Sequence, residues 1–491
     1  MFVLLYVCSA NICCYFANIC CRRWLARDSG RLTAVLRHAP VSQPTIPSPQ
    51  GRDHLHVMQR AAHYINDAVW HCHETYGDAF AFGYGAIRFN WFVGEDAIKT
   101  VLFEDSDAFA MAHEFLLPIG GKTALIASEE PAHLRRRRIV QPAFHKNRLA
   151  DMHRLMQEKL QLELHTWQRG DTINLYHRLR PVVLDTICEI LLGRNLLSQY
   201  PTFVDDIGTM MNFANLPFID QQLKIPLPFT AWGQFVAARR RVNRVLYAEI
   251  DRRQRNNLDM AIMDRANINR ANINRANVDR ADVLGMLLAA KDEDGQPLSA
   301  LEIRDQAVSL VSAGFDTTSA ALTWAVAMVL EHPYVATKLE AELSPVGSTP
   351  ELDTLLALPY LEGIFKETLR LYPAAPAALR KVVRDTQVLG YPLKKGDRVA
   401  LSIYATHRQA SVFTQPLEFK PDRWQSVRPS KFAYLPFGFG TRYCIGAGVA
   451  TLFIKTALAM LQEVTLEPAY DTLTETGNTV QPLGGLPVRM I

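Results

Sequence analysis

The chain has 491 residues, 48% hydrophobic and 21% charged, enough to bury a large core, and the length alone suggests about three domains at ~150 residues each. Its 53 Lys and Arg against 49 Asp and Glu give a net charge of +4, which excludes nucleic-acid binding driven by overall charge and leaves only local basic patches. The 8 cysteines do not make a disulfide framework: Cys8, Cys13, Cys14, Cys20 and Cys21 crowd the start, and only Cys72, Cys188 and Cys444 remain, so a reducing compartment is expected.

Residues 1–21 carry no charged side chain and are followed by Arg22, Arg23, Arg27 and Arg31, the pattern of a short membrane anchor with a basic, cytoplasm-facing flank. Ser9, Asn11 and Asn18 interrupt it, and an unstructured tail or a misplaced translation start is the alternative. Pro40, Pro44, Pro47 and Pro49 make a stiff, extended hinge, so 22–50 reads as a basic, proline-rich connector.

Periodicity then predicts an amphipathic helix over 56–75, a strand pair at 79–84 and 87–93 turning at Gly85, and a short helix over 96–103. Residues 104–128 are irregular but apolar, with Phe109, Phe115, Leu116 and Leu117. Long apolar loops in a large domain are either binding loops or ordinary packing. In the run His133 to Arg138, His133 and Arg137 are four apart and share a helix face able to clamp an anion; the alternative is a solvated basic face. Helices follow over 150–168, 178–192, 203–214 and 231–255, with Phe213, Phe218 and Phe229 suggesting an apolar lid. Residues 261–285 repeat with a period of five (AIMDR, ANINR, ANINR, ANVDR, ADVLG) and read as a low-complexity insertion, too short to stack into a solenoid.

A long apolar helix is expected over 300–330, opened by the capping box Ser299 to Glu302. At its centre stands Ala313-Gly314-Phe315-Asp316-Thr317-Thr318. Mid-helix Gly314 costs about 1 kcal/mol relative to Ala and suggests close approach of a flat group. Thr317 can bond back to the Ala313 carbonyl, and Asp316 with Thr317 can pass protons inward. The plain alternative is a buried helix with a satisfied Thr and an exposed Asp. Glu367 and Arg370 are three apart within 358–373 and can pair on one helix face. Residues 386–403 alternate like a strand pair turning at 394–397, and 447–463 reads as a helix.

Between them lies Phe437-Gly438-Phe439-Gly440-Thr441-Arg442-Tyr443-Cys444-Ile445-Gly446. Its glycines permit φ > 0 and keep side chains clear of a large flat group, Cys444 can present a thiolate to a metal, and Arg442 can pair with an acid on the same cofactor. The bland reading is a Gly-rich turn with a structural cysteine.

This loop resembles the haem-ligating loop of the cytochrome P450 family, F-x-x-G-x-R-x-C-x-G. The segments 313–318 and 367–370 resemble two further signatures of that family, and 419–424 its partner segment. The resemblance spans roughly 50–491 and overrides the three-domain estimate. It implies one mainly α domain with a small β-rich lobe (51–491), the cytochrome P450 fold. It also implies haem b with Cys444 as the iron ligand, Phe437 beside the sulfur, and His133, Arg137, Arg380 and Arg442 around the propionates. Asp316 and Thr317 would be the catalytic pair, Arg423 would join Glu367 and Arg370 in a buried brace, and Arg135, Arg136 and Arg138 would face outward.

The implied function is a haem-thiolate monooxygenase that inserts one atom of O2 into a small apolar substrate. Candidate pocket residues are Phe109, Phe115, Phe213, Ala313, Ala377 and Leu486, with Gly484 to Pro487 as a last pocket turn. With no fused flavin or iron–sulfur domain in the sequence, electrons are expected from an external ferredoxin or flavoprotein reductase fed by NAD(P)H; no nucleic-acid partner is expected. A haem-thiolate isomerase or peroxygenase, or a non-catalytic haem-binding module, is the alternative. Residues 1–21 imply membrane association with the catalytic domain on the cytoplasmic side, the alternative being a soluble cytoplasmic protein.

Overall fold

The structure, a computed structural model, describes residues 44–491 except 85–86, 113–116, 146–147, 217–220, 222–223, 266–281, 292–294 and 477–478. Thr45–Ile491 packs as one unit, and the segment before it is a separate one. The expected anchor at 1–21, Gly85, Phe115, Leu116, Phe218 and most of the pentad insertion lie outside the described residues.

The helices that build and support the site are α1 (Gly51–His63), α2 (Ile65–Tyr76), α3 (Ala132–Val140), α4 (Leu149–Leu164), α5 (Leu175–Leu192), α6 (Phe203–Ala214), α7 (Ala231–Arg265), α8 (Ala300–Glu331), α9 (Pro359–Leu371) and α10 (Ala447–Met460). The single helix expected over 56–75 is two, because Tyr64 is extended (φ −154, ψ 114) and ends α1. The 3.6-residue apolar pattern runs through that break, so periodicity does not reveal it.

α8 is the axis of the helical part. Ser299 accepts from the Glu302 backbone N–H while the Glu302 carboxylate accepts from the Ser299 N–H, so the helix starts where the capping box places it. Its residues between Ile303 and Val329 are buried on nearly every face, the signature of a helix inside a protein. Among the described residues it is the one helix long and apolar enough to cross a membrane, and 78% of that apolar window is buried in the protein. The main core gathers around it, with Val183 and Leu191 of α5, Leu361 and Ile364 of α9, and Leu452 and Phe453 of α10.

The β lobe is a five-stranded sheet of order β1-β2-β8-β5-β3, formed by Ala79–Tyr84, Ile87–Phe92, Arg398–Ser402, Ala377–Val382 and Phe109–Met111. β2 and β8 are parallel; the other neighbours are antiparallel. The strand pair expected over 386–403 is not what forms. β6 (Thr386–Val388) and β7 (Tyr391–Leu393) make a hairpin turning at Leu389 and Gly390, both with positive φ, while β8 leaves that hairpin to pair with β5 and β2. The turn at 394–397 was legible, but its partner strand was not. β4 (Thr172–Asn174), β12 (Pro487–Met490) and β9 (Leu466–Pro468) form a second small sheet. The protein is thus mainly helical with small β-sheets.

Candidate active site

Cys444 ends a tight loop on α10's N-terminal side. Gly438 (φ 73) and Gly440 (φ 65) occupy left-handed backbone that a side chain would strain, and the Cys444 N–H closes the loop on the Phe437 carbonyl at 2.8 Å. Phe437 packs against Phe365 of α9, ring centroids 6.3 Å apart. Cys444 has accessible surface, yet protein surrounds it closely enough that burial pushes its thiol upward. Both facts hold if that surface faces an interior space. The Gly446 and Ala447 N–H groups and the Arg137 charge act the other way and favour the thiolate.

Three arginines and a histidine gather beside this loop. Arg137 donates to the Tyr443 carbonyl at 2.7 Å. Arg442 donates to the Ser128 carbonyl at 2.7 Å and has Glu129 and Glu130 at 3.6 and 3.8 Å. His133 is buried with Nδ1 2.8 Å from Glu130. Burial, and then the Arg442 charge, pull it below the usual histidine range. Arg380, on β5, is the least compensated. It is 9% exposed, its one hydrogen bond among the described residues goes to the Leu379 carbonyl at 2.9 Å, and it has no ion pair. Burial and the neighbouring Arg442 bring its guanidinium down to about 10. Such a group needs an anion. Glu129 and Glu130 were not anticipated; the hint was their place just before α3, where helix N-termini favour acids. Arg136 is not outward as expected: it donates to the Ser128 hydroxyl at 2.6 Å and faces Glu302 at 3.7 Å.

On α8 the central motif splits between two faces. Thr317 donates to the Ala313 carbonyl at 2.7 Å, and Ala313 is exposed within an otherwise buried helix, so this face opens on interior space. Gly314 faces elsewhere. A Cβ there would meet Ile187 Cδ1 of α5 at 3.2 Å, so the glycine serves helix packing rather than the approach of a flat group. Asp316 also turns to α5 and α6. It is buried, accepts from Arg180 Nε and Nη2 at 3.2 and 2.9 Å, and from Asn215 at 2.8 Å. Burial raises its carboxyl while Arg180 and Asn215 lower it, with a net upward shift. Arg180 and Asn215 had no sign in the local sequence, lying 136 and 101 positions away.

Behind the loop, Glu367 of α9 accepts from Arg370 at 2.8 and 2.9 Å, from Arg423 at 2.8 Å and from the Trp424 indole at 3.0 Å, with both charges of the Glu367–Arg370 pair fully buried. The remaining guanidinium N–H groups reach backbone carbonyls of His407, Pro416 and Glu418 from Arg370, and of Thr414, Gln415 and Glu418 from Arg423. Of the expected pocket residues, Phe109 packs in the β-lobe core with Val382 and Val399, and Phe213 packs on Phe235 (4.8 Å) and Trp232 (5.3 Å). Leu486 is fully buried, Ala377 half-buried, and Phe229 is 78% exposed, so it forms no lid.

A glycine-rich cysteine loop backed by a buried charge brace, with an arginine-rich cluster beside it and a helix opened at Ala313, has the donor chemistry of a haem-binding site. The fit is chemical: a sulfur with two N–H donors for a metal, and an unpaired buried guanidinium for an acidic periphery. The family model for cytochrome P450 matches residues 52–481. A putative cytochrome P450 139 of Mycobacterium bovis is 30% identical over 407 residues, covering 81% of this chain and 90% of that protein. A probable cytochrome P450 4s3 of Drosophila melanogaster is 30% identical over 432 residues, 83% and 85% of the two chains. The haem domain of cytochrome P450DA superposes with a TM-score of 0.76 at 25% identity, covering 91% of this chain and 98% of that one. The retinoic-acid-bound cyanobacterial CYP120A1 shares the fold with a TM-score of 0.77 at 24% identity, 92% and 100% covered. The chain belongs to the cytochrome P450 family, whose members are haem-binding monooxygenase oxidoreductases.

Proposed function

We propose that residues 51–491 form one catalytic domain that inserts one atom of O2 into a small apolar substrate, using haem b held by Cys444. The second oxygen atom leaves as water, which requires two electrons from an external ferredoxin or flavoprotein reductase and two protons. The observation that carries this reading is Cys444, accessible in a protein-dense setting with the Gly446 and Ala447 N–H groups directed to it. Bound haem supplies the iron at which dioxygen is activated.

The chain's own residues do the rest. Arg380, Arg442, Arg137 and His133 hold the propionates, and an anion beside Arg380 removes the penalty of an unpaired buried charge. Phe437 covers the sulfur side. In this reading Ala313 and Thr317 share the haem site with Cys444, and the Thr317 hydroxyl, anchored on the Ala313 carbonyl, delivers protons there. Asp316 takes protons from the α5–α6 side. Its raised carboxyl holds a proton more readily than an ordinary aspartate, and it must release Arg180 to turn toward Thr317. Residues 1–21 anchor the enzyme to a membrane with this domain on the cytoplasmic side; membrane fractionation of full-length and 22–491 chains tests that role.

The central test is the CO-difference spectrum of the reduced holoenzyme. The red-shifted Soret band of a thiolate ligand is expected in the unaltered protein and absent in Cys444→Ala. Retention of that band in the variant would overturn the ligand assignment. Product formation dependent on NADPH and O2 with a surrogate reductase tests the reaction.

A further inference from the structure

Residues 117–128 run across α8 to the Cys444 loop, without regular structure beyond short helical turns at 117–120 and 125–127. A connection of this kind ordinarily moves, because its backbone groups lack fixed partners. Here the partners come from three consecutive side chains of α8. Asp305 accepts from the Thr123 N–H at 3.0 Å and from the Thr123 hydroxyl at 2.7 Å. Gln306 accepts from the Leu125 N–H at 2.9 Å and donates to the Thr123 carbonyl at 2.6 Å. Arg304 orients Asp305 at 2.8 Å, and its guanidinium also reaches Asn243 of α7 at 2.7 Å. Arg239 of α7 donates to the Pro118 carbonyl at 3.0 Å.

The three α8 side chains are 6%, 2% and 2% exposed, so these bonds form away from competing water. Gly121 is shaped for the contact: its φ is +91, and a Cβ there would lie 2.2 Å from both Asp305 carboxylate oxygens. Gly120 presses on Ser309, one turn before Ala313, with 3.2 Å between its would-be Cβ and the Ser309 Cβ. At the far end the Ser128 carbonyl accepts from Arg442 at 2.7 Å. The segment is therefore fastened at one end to the helix that carries Ala313 and Thr317, and at the other to the arginine of the cysteine loop.

We propose that Asp305 and Gln306 are positioning residues that latch the 117–128 strap as a fixed side wall of the cofactor space, and so set which ligands fit beside Ala313. The proposal rests on the haem-site reading above, since it needs that space to be the ligand site. It assigns the size selectivity of this enzyme to polar side chains that touch neither cofactor nor substrate.

The test uses the holoenzyme and the variants Asp305→Ala, Gln306→Ala and Gly121→Ala, with Asp305→Asn as the conservative rescue. Amide hydrogen exchange of peptides covering 117–128 is expected to quicken in the three disruptive variants, while peptides of α9 and α10 stay as in the unaltered protein. Binding of imidazole and of 4-phenylimidazole, read from the optical shift, is expected to show discrimination between the two probes reduced by roughly 2–10-fold, the worth of one or two buried hydrogen bonds. Asp305→Asn should recover most of it. The CO-difference band should remain, which separates this proposal from the ligand assignment: its loss from the unaltered protein would sink that reading, whereas unchanged strap exchange or unchanged probe discrimination in variants that keep the band would overturn the latch. Should Asp305→Ala fail to fold, Gln306→Ala and Gly121→Ala carry the same two readouts.

Discussion

Two clusters of buried charge flank the Cys444 loop, and they are built in opposite ways. In the brace, Glu367 meets Arg370, Arg423 and Trp424, and the spare guanidinium N–H groups end on backbone carbonyls. In the cation cluster, Arg380 is nearly as buried but has one carbonyl partner and a second arginine beside it. A buried charge left without a counter-charge is costly, and a network that satisfies every member is a structural device. The difference separates holding the fold from holding a ligand: the closed cluster needs nothing further, whereas in the open one Arg442 and His133 face Glu129 and Glu130 but Arg380 makes no ion pair among the described residues.

The largest expected effect breaks the closed cluster. Glu367→Ala leaves two buried guanidinium groups facing each other and should cost about 3–5 kcal/mol, read as a collapse of the denaturation midpoint or failure to accumulate folded protein. Next, Arg380→Leu should weaken haem retention by about 1.5–3 kcal/mol, measured by transfer to a scavenging globin, while the haem-free protein is no less stable than before. If the haem-free variant were destabilised as strongly as Glu367→Ala, the contrast between the clusters would fail.

The joint between the two regions supplies a pH test. His407 gives its carbonyl to Arg370 of the brace, and its Nε2 accepts the Leu435 N–H leading into the cysteine loop. Full burial, with the Arg370 charge adding to it, lowers this imidazole to about 3. Because the folded value lies below the unfolded one near ~6.5, the contribution is complete above about pH 6.5 and is lost as pH falls toward about 3. By pH 5 the loss should be about 2 kcal/mol, and His407→Gln should flatten the urea midpoint between pH 6.5 and 5. A variant with the same acid slope as the unaltered protein would remove His407 from the account.

The smallest effect on stability is expected for Thr317→Ala, about 1 kcal/mol or less, since one helix-side hydrogen bond is lost. Its functional signature is different: less product and more hydrogen peroxide per NAD(P)H consumed. Equal coupling in the variant would take Thr317 out of proton delivery.

Much of this protein was legible within single elements. The capping box that starts α8, the Thr317 bond to Ala313, the Glu367–Arg370 pair and the glycines flanking Cys444 depend on spacings of three or four residues or on local φ, and short-range geometry fixes those whatever the chain does elsewhere. What the sequence left open depends on which face meets which neighbour far along the chain. Gly314 packs on Ile187, Asp316 is held by Arg180 and Asn215, β8 abandons the β6–β7 hairpin for β5, and Arg304, Asp305 and Gln306 fasten a loop about 180 positions away. The sequence by itself determined the family, the iron ligand to expect and the order of the motifs, because each is written in a contiguous stretch. Only the tertiary structure decided that Arg380 is buried with one carbonyl partner among the described residues and that the strap is latched, because burial and partnership arise from packing distant segments together.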